Sequence, residues 1–388
     1  MPAIYLDNNA TTAVDPRVAE IILQAYRSGP TNPSSQHASG RQARDRVDHA
    51  IDVIGRCIGT RLDQPGGPRL VITSGGTESN NLALSGIGDD GPVVVSRIEH
   101  PSVVATAEAM QACGRTVRWL DVDPEGEINV ECLSALIEAD QNRATLVSLM
   151  SANNETGVLQ PIRRAAEICR ASGVPLHVDA TQSIGKLPIQ LDSLGASAVT
   201  FSAHKFHGPP GVGALWIDAG LPIQPMLHGG QQQLETRPGT EPVALVLGMA
   251  EALRLATEEM DDSIAWTSQL RDQLETGLLG RHGELVIQGR DKQRLPGTSS
   301  ISFLGTDRQS MLMALDLAGI QCSSGSACSS GSSPPSHVLL AMNRPDSEVR
   351  STLRLSVSKF STAEEISKAI ESISSIYNRL RHFVSVDN

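Results

Sequence analysis

Short apolar runs alternate with helical patterns through the middle of the chain. Most of the runs are nearly continuous in apolar residues, which is typical of strands buried on both faces of a sheet. The runs that predict strands are Leu70–Thr73, Val93–Ser96, Val117–Leu120, Thr145–Met150, Leu176–Val178, Ala198–Phe201 and Gly213–Ile217. Apolar positions with helical spacing lie between several of them, at Ser102–Cys113, Val130–Ala139 and Ile162–Ser172. This alternation predicts a mostly parallel sheet flanked by helices.

The pattern changes after about Glu241. Pro242–Leu279 is mostly helical, with an apolar stripe that predicts a long helix able to connect two domains. The elements beyond it are predicted as strand, helix, strand and helix, over Ser299–Phe303, Gln309–Ala318, Thr352–Val357 and Thr362–Leu380. We therefore expect an α/β protein with a large domain over residues 13–256. A smaller α+β domain is expected over residues 257–388, together with the N-terminal segment 1–12.

The composition narrows the class of protein. The 388 residues include 32 Lys and Arg against 43 Asp and Glu, a formal charge of −11, which argues against a general nucleic-acid binder. No apolar stretch reaches the ~18 residues that a membrane-spanning helix needs, and the N-terminus lacks the pattern of a secretory signal. The six cysteines form no Cys-x-x-Cys pair and have no zinc spacing. These features predict a cytoplasmic protein with reduced thiols and no membrane or nucleic-acid partner.

Polar residues follow five of the predicted strands. In open α/β sheets ligands bind beyond the carboxyl ends of the strands, so we expect these residues to meet at one edge and form a ligand site. The segments are Ser74-Gly75-Gly76-Thr77-Glu78, Arg97-Ile98-Glu99-His100, Ser151-Ala152-Asn153-Asn154-Glu155, Asp179-Ala180-Thr181-Gln182 and Ser202-Ala203-His204-Lys205.

Three of these signals are ambiguous when taken alone. Gly75-Gly76-Thr77 can bring backbone N–H groups to a phosphate, or can be a tight turn with Thr77 as the helix N-cap. A buried carboxylate at Asp179 needs a partner, which a metal, a cationic cofactor nitrogen or a capped turn could each supply. A single histidine such as His100 is more often structural than catalytic.

Lys205 is the most informative of the five lysines in the chain. Burial at the end of a strand disfavours its charged ammonium, and makes the neutral amine available for Schiff-base formation. A lysine, a phosphate-binding loop and a buried aspartate are together the set that pyridoxal phosphate requires. The other four lysines are interpreted as ordinary surface or core residues.

The Ser/Gly-rich stretch at residues 323–336 contains Cys328. Its composition is that of a flexible linker. A linker gains nothing from a cysteine, however, and an exposed thiol on a mobile loop is readily oxidised. The alternative interpretation is a nucleophilic thiol on a mobile arm. Cys322, just before the stretch, is interpreted as a small core residue.

Taken together, these motifs resemble the cysteine desulfurases of the NifS/IscS type, within the class V aminotransferases of pyridoxal-phosphate fold type I. The resemblance covers nearly the whole chain. Its segments are Tyr5–Thr12, Asn32–Ser35, Thr73–Asn81, Glu99-His100, Asn153–Gly157, His177–Gln182, Ser202–Lys205, Arg237–Thr240, Ser323–Cys328 and Arg354. The chain departs from the family pattern at Gln231–Leu234 and at Ser358-Lys359.

The resemblance implies a role for each matched residue. Lys205 would bind pyridoxal 5'-phosphate covalently, Cys328 would form the persulfide, and His100 would stack on the cofactor ring and assist proton transfer. The cofactor would further be held by Gly76, Thr77, Asn154, Asp179, Gln182, Ser202, His204 and, from the partner subunit, Thr240. Asn154 and Arg354 would bind the substrate carboxylate. No resident metal is implied, although Cys328 could transiently ligate iron in a cluster-transfer complex.

The implied activity is removal of sulfur from L-cysteine, with L-alanine as the product and a persulfide on Cys328 that is passed to a sulfur-acceptor or scaffold protein, as in iron-sulfur cluster assembly. A homodimer is implied because Thr240 would complete the neighbouring site. The alternatives are a selenocysteine lyase, another class V aminotransferase, or a non-catalytic sulfur-transfer subunit.

Overall fold

The computed structural model describes residues 3–325 and 334–384, apart from the side chains of residues 382–384. Within these ranges the strands are β1 (Ile4–Tyr5), β2 (Arg69–Thr73), β3 (Val93–Ser96), β4 (Val117–Leu120), β5 (Leu146–Met150), β6 (Leu176–Asp179), β7 (Ala198–Ser202), β8 (Gly213–Ile217), β9 (Leu285–Ile287), β10 (Thr298–Phe303), β11 (Ile320–Gln321) and β12 (Thr352–Ser356).

The helices in the same ranges are α1 (Pro16–Arg27), α2 (Ala38–Cys57), α3 (Gly76–Gly86), α4 (Pro101–Ala112), α5 (Leu133–Ile137), α6 (Ile162–Ser172), α7 (Leu191–Leu194), α8 (Val243–Glu258), α9 (Met260–Leu279), α10 (Arg308–Leu317), α11 (His337–Ala341), α12 (Asp346–Val349) and α13 (Ala363–Val384). None of these helices in the described ranges combines the length and apolar character needed to cross a bilayer.

The large sheet contains all the strands predicted between residues 70 and 217, each within one residue of its predicted ends. The strand order is β2-β8-β7-β6-β5-β3-β4. Strands β3 to β7 pair in parallel, whereas β8 runs antiparallel to both of its neighbours. Both faces are covered, because alternate strand residues enter different cores: Val94 packs in one cluster, and Val93 and Val95 in another. The prediction of a mostly parallel sheet flanked by helices is confirmed.

Two helical predictions differ from the structure. Val130–Ala139 is not one helix: α5 is a short helix between two 3₁₀ turns. Arg118, which is 7 % exposed, donates to the carbonyl oxygens of Leu136, Ile137, Ala139 and Asn142, so it satisfies the carbonyl groups that a longer helix would use internally. Pro242–Leu279 is broken into α8 and α9 at Glu259.

A smaller sheet follows the long helices. Strand β10 lies between β12 and β9, and pairs antiparallel with both. The N-terminal segment joins this region, because β1 pairs with β11 and Asp7 bridges to Ser356. Leu6, Phe303 and Tyr377 are fully buried in a hydrophobic core that is separate from the cores of the large sheet. The division into domains at residue 256 stays a prediction.

An ion cluster joins the start of α1, the α8–α9 break and the segment after β12. Lys359 lies 2.9 Å from Asp15 and 2.7 Å from Glu259, and Arg17 contacts the same two carboxylates. The Arg17 guanidinium, with help from Lys359, holds the pKa of the Asp15 carboxyl well below its usual range. Lys359 is one of the departures from the family pattern, and here it connects three separate parts of the chain.

Replacing Lys359 with methionine is expected to lower the free energy of unfolding at neutral pH by about 1.5–3 kcal/mol, since it leaves two carboxylates short of a charged donor. The difference from the wild type should shrink as the pH falls below about 4, because Asp15 in the unfolded chain then binds a proton and the ion pair ceases to favour the native state. Urea unfolding at several pH values measures both effects.

Lys368→Met is the matched control for this change. Lys368 pairs with Glu364 at 2.7 Å, but both side chains are more than half exposed. An exposed pair of this kind contributes little, so the control should leave the free energy of unfolding close to that of the wild type. Equal losses in the two variants would contradict the assignment of Lys359 to a stabilising cluster.

Candidate active site

A cavity of about 250 Å³ lies at the carboxyl edge of the parallel strands. The predicted site residues that line it are Gly76, Thr77, His100, Asn154, Asp179, Gln182, Ser202, His204 and Lys205. Asn80, Ser102 and Thr181 also line it, together with apolar residues that include Met150. Residues that follow five different strands therefore do meet at one edge, as expected from the sequence.

Lys205 ends a 3₁₀ turn that directly follows β7, and its side chain reaches the cavity. Its Nζ donates to the carbonyl oxygens of Asn9 and Ala10 at 2.6 and 2.7 Å. Burial and the nearby charge of Arg354 lower the pKa of Lys205 to about 8, against the opposing effect of Asp179 and Asp7. A substantial fraction of this amine is therefore neutral, and able to act as a nucleophile or base, near neutral pH.

Lys205 is expected to react with an amine-directed reagent at lower pH than Lys368. Only the neutral amine reacts, so labelling of Lys205 should rise with pH through about 8. Lys368 needs a higher pH, because its hydrogen bond to Glu364 raises its pKa. Mass spectrometry of the two tryptic peptides, after brief labelling of the cofactor-free chain at a series of pH values, measures both midpoints. Coincident midpoints would contradict the lowered pKa of Lys205.

Asp179 ends β6 and is 5 % exposed. Its Oδ2 accepts a hydrogen bond from Asn80 Nδ2 at 2.8 Å, and its Oδ1 accepts from the backbone N–H of Thr181 at 2.9 Å. These donors hold the carboxylate at the cavity wall. Of the partners left open by the sequence, the capped turn is therefore present, and the carboxylate still lines the cavity.

His100 stands at the N-terminus of α4, where its Nδ1 accepts from the backbone N–H of Ser102 at 3.1 Å. The Ser102 hydroxyl lies 2.8 Å from the same ring nitrogen. Burial lowers the pKa of His100, and the carboxylate of Asp179 opposes that shift. The ring is therefore neutral at neutral pH and is held in place by the helix end.

The start of α3 fits an anion such as a phosphate. The helix begins at Gly76, and the residue before it, Gly75, has a φ of 157° and caps the helix with no side-chain hydrogen bond. The Thr181 hydroxyl is buried there without a partner among the described residues, and a Cβ on Gly76 would lie 3.2 Å from it. Free backbone N–H groups at a helix N-terminus, next to an unpaired hydroxyl and Ser202, form a cradle suited to negative charge.

Gln182 is held by Lys186, a lysine that the sequence pattern alone does not single out. Lys186 Nζ donates to Gln182 Oε1 at 2.8 Å, while Gln182 Nε2 donates to the carbonyl oxygen of Asn9 at 3.0 Å. Burial and the charge of Lys205 lower the pKa of Lys186 to about 7. Lys186 and the Asn9 carbonyl oxygen therefore determine the orientation of the Gln182 amide together, a contact that the interpretation of Lys186 as an ordinary surface or core residue did not include.

Arg354 lies on β12 and is only 3 % exposed. Its guanidinium donates to Asp7 Oδ1 at 2.6 Å and to the carbonyl oxygen of Asn154 at 3.0 Å. It does not line the cavity in this structure. To bind a substrate carboxylate, as the family resemblance implies, Arg354 would have to exchange at least its bond to Asp7 for the substrate.

The chain is similar to known proteins over nearly its whole length. Residues 4–368 match the family model described as aminotransferase class-V. A cysteine desulfurase of Sinorhizobium fredii is 40 % identical over 98 % of this chain and 98 % of its own length. A cysteine desulfurase IscS of Dictyoglomus turgidum is 36 % identical over 97 % of this chain and 95 % of its own length. The chain belongs to the cysteine desulfurases of the class-V aminotransferase family. The predicted family is confirmed.

This member of the class-V aminotransferase family also shares its fold with a solved relative. A NifS-like protein from Rickettsia africae superimposes with a TM-score of 0.88 at 34 % identity, covering 97 % of this chain and 99 % of that structure. The predicted fold class, a large α/β unit with a smaller sheet after it, is therefore confirmed.

Two further predicted site residues of this family member, Cys328 and Thr240, stay untested. Cys328 lies outside the described residues, so its predicted role stays a prediction. Thr240 is exposed and does not line the cavity of its own chain. The segment before it is tied to α3, because Arg237 Nε donates to Glu78 Oε1 at 2.8 Å. Its predicted reach into a partner subunit is untested.

The departure from the family pattern at Gln231–Leu234 has a clear structural consequence. The amide of Gln233 pairs with both backbone groups of Ile72 on the edge strand β2, accepting at 2.6 Å and donating at 2.9 Å. Gln233 and Leu234 both have positive φ, at 49° and 57°, a strained conformation for residues with side chains. The side-chain amide thus replaces a neighbouring strand at this edge.

Sequence reasoning missed Asn80, Ser102 and Lys186 as parts of the site. Asn80 and Asp179 are 99 positions apart, so no local spacing relates them. Asn80 does lie in the family-like segment Thr73–Asn81, one helical turn after Gly76. That position, which faces the strand edge, was the available signal for a site residue. Lys186 lies four positions after Gln182 on a turn, a spacing that carries little information when the local structure is unknown.

Proposed function

We propose that this chain uses pyridoxal 5'-phosphate to remove sulfur from L-cysteine, releasing L-alanine and leaving a persulfide on Cys328. The observation that carries the proposal is the meeting of Lys205, Asp179 and the anion cradle of α3 in one cavity. A reactive amine, a fixed carboxylate and a phosphate-sized group of donors are the three things that this cofactor needs. The family membership of the chain supports the same activity.

The cofactor would be held by residues that already line the cavity. The donors at Gly76, Thr77, Ser202 and His204 would hold its phosphate, and Asp179 would pair with its ring nitrogen. Gln182, oriented by Lys186, would donate to its phenolic oxygen. Pyridoxal phosphate, when bound, stabilises the electron pair that remains when an amino acid loses its α-proton.

Lys205 is the residue that would move this proton. Its amine lies in the cavity and is held by two backbone carbonyl oxygens rather than by a carboxylate. A carbonyl contact leaves the amine free to lose its own proton, and the lowered pKa of about 8 favours the neutral form. Lys205 would therefore take the proton, while His100 would stay neutral and cover the ring.

The substrate carboxylate would be bound by Arg354 and Asn154. A guanidinium offers a planar pair of donors to a carboxylate, and Nε of Arg354 is buried without a hydrogen-bond partner among the described residues. The thiolate of Cys328 would then attack the substrate sulfur, so that an S–S bond forms while the C–S bond of the substrate breaks. The outcome is a persulfide on Cys328 and, after proton addition, L-alanine.

The test is incubation of the cofactor-loaded chain with L-cysteine, followed by mass spectrometry of the Cys328 peptide under non-reducing conditions. One added sulfur on that peptide and an equal amount of L-alanine are expected. The peptide of Cys113, an exposed free cysteine, is the internal control and should stay unmodified. L-alanine without added sulfur on Cys328 would overturn its role, and amino transfer to an added keto acid would favour a different class V reaction.

The partners follow from the same proposal. A persulfide is useful only if a sulfur-acceptor or scaffold protein takes the sulfur, and we propose such a partner without naming it. A homodimer is proposed because Thr240 is exposed on the single chain and its segment is firmly anchored through Arg237. The proposed location is the cytoplasm.

A further inference from the structure

A continuous set of side-chain hydrogen bonds connects two of the proposed site residues, Asp179 and His100. Asn80 Nδ2 lies 2.8 Å from Asp179 Oδ2 and 2.9 Å from Ser102 Oγ. Ser102 Oγ lies 2.8 Å from His100 Nδ1. Asn80 and Ser102 are both at least nine-tenths buried, so bulk water has little access to these bonds.

The direction of the hydrogen bonds is determined at the Asp179 end. A carboxylate oxygen can only accept, so the amide nitrogen of Asn80, and not its oxygen, must face Asp179. Both protons of that nitrogen are then used, one toward Asp179 and one toward Ser102. Asn80 Oδ1 is buried without a hydrogen-bond partner among the described residues, which is the cost of this orientation.

The direction of the hydrogen bonds is also determined at His100. Since Ser102 Oγ accepts from Asn80, its own proton is available for His100 Nδ1. The backbone N–H of Ser102 also donates to Nδ1, at 3.1 Å, as part of the N-terminal cap of α4. Two donors directed at one ring nitrogen leave no room for a proton on it.

We propose that Asn80 and Ser102 are positioning residues that lock His100 in the tautomer carrying its proton on Nε2. Asp179 sets the orientation of Asn80, Asn80 sets that of Ser102, and Ser102 sets the tautomer of the ring. The lowered pKa of His100 agrees with this arrangement.

This inference rests on the proposed function only for its consequence in the reaction. A neutral ring with a proton on Nε2 offers the cavity a hydrogen-bond donor and no basic nitrogen. His100 therefore cannot be the group that takes the α-proton, and that task falls to Lys205. The other charged groups that act on His100 are Asp179, Lys205, His337 and Arg354, so the tautomer is measured at several pH values on both sides of the Lys205 pKa of about 8.

The test is the ¹⁵N chemical shift of both ring nitrogens of His100, measured through two-bond ¹H–¹⁵N correlation in the chain without cofactor or substrate. The signals are assigned by their loss in His100→Gln. We expect Nε2 in the range of a nitrogen that carries a proton and Nδ1 in the range of one that does not. Wild-type signals showing the proton on Nδ1 would overturn the proposal, whatever the enzyme assay gives.

Three variants distinguish loss of the hydrogen-bond network from loss of folding. Asn80→Ala and Ser102→Ala each remove one donor, and should raise the population of the other tautomer by about fivefold, seen as movement of the Nδ1 shift toward the protonated range. Ser102→Thr keeps both the hydroxyl and the backbone N–H and should retain the wild-type shift. If Asn80→Ala fails to fold, the two Ser102 variants still decide the question.

Thr106→Val is the matched control. The Thr106 hydroxyl also joins α4 to α3, since it lies 2.9 Å from Asn81 Oδ1. It lies 2.8 Å from the backbone carbonyl oxygen of Ser102 as well, but it contacts no side chain of the network, and neither Thr106 nor Asn81 lines the cavity. The His100 shifts should not change in this variant. Unchanged shifts in both Asn80→Ala and Ser102→Ala would overturn the proposed control of the tautomer.

Discussion

Replacing Lys205 with alanine is expected to lower the rate of L-alanine formation from L-cysteine by about 10²–10⁴-fold or more, the range that a positioned acid–base group contributes. The change removes the only described amine that lines the cavity. Burial lowers the pKa of both histidines of the cavity, that of His204 to about 4. The measurement is steady-state production of L-alanine and sulfide with saturating pyridoxal phosphate.

Lys368→Ala is the control, because Lys368 is exposed and pairs only with Glu364 on the same helix. It should retain wild-type turnover. Circular dichroism and the unfolding midpoint of Lys205→Ala should stay close to those of the wild type, since a buried cation is removed together with its desolvation cost. Turnover within tenfold of the wild type in the folded Lys205→Ala variant would overturn the assigned role.

Replacing Cys328 with alanine is the second change with a large expected effect. Sulfide release from L-cysteine should fall to the rate without enzyme, while the visible absorbance of the bound cofactor persists. The reason is that sulfur needs a nucleophilic thiolate to accept it, whereas the cofactor is held by residues of the cavity. The assay is sulfide production with a reductant, together with the absorbance spectrum of the same sample.

The other cysteines offer both a control and a physical contrast. Cys113 is an exposed free thiol, so Cys113→Ala should leave sulfide production unchanged. Cys322 is close to Cys328 in sequence, but burial raises its pKa to about 12, so it stays a thiol and is a poor nucleophile. Sulfide production that persists in Cys328→Ala would contradict the role of Cys328 and would indicate a different sulfur acceptor.

The large sheet could be predicted from the sequence because its strands are buried on both faces. Runs such as Val93–Ser96 and Gly213–Ile217 have no polar face to confuse the pattern, and their ends lie within one residue of the prediction. The helix predicted at Val130–Ala139 was wrong because the end of this segment depends on Arg118, whose side chain reaches it from strand β4. Local periodicity contains no information about such a contact.

The candidate site also contains residues that could be predicted from the sequence and residues that could not. Lys205, Asp179 and the glycines before α3 could be predicted because each directly follows a strand, and topology brings strand ends together. Asn80, Ser102 and Lys186 could not, because their importance lies in a partner: Asp179 for Asn80, His100 for Ser102 and Gln182 for Lys186. An asparagine in a helix is chemically ordinary until its neighbour across the sheet edge is known.

The sequence by itself determined the family, the parallel sheet and the residues able to carry the chemistry, because apolar runs and strand-end motifs are local and strongly patterned. Only the tertiary structure decided how those residues are oriented. It pairs Arg354 with Asp7 and orients the Gln182 amide toward Lys186. It also connects Asp179 to His100 through the side chains of Asn80 and Ser102. Hydrogen-bond direction depends on angstrom-scale distances between residues far apart in the chain, and no pattern along the chain encodes those distances.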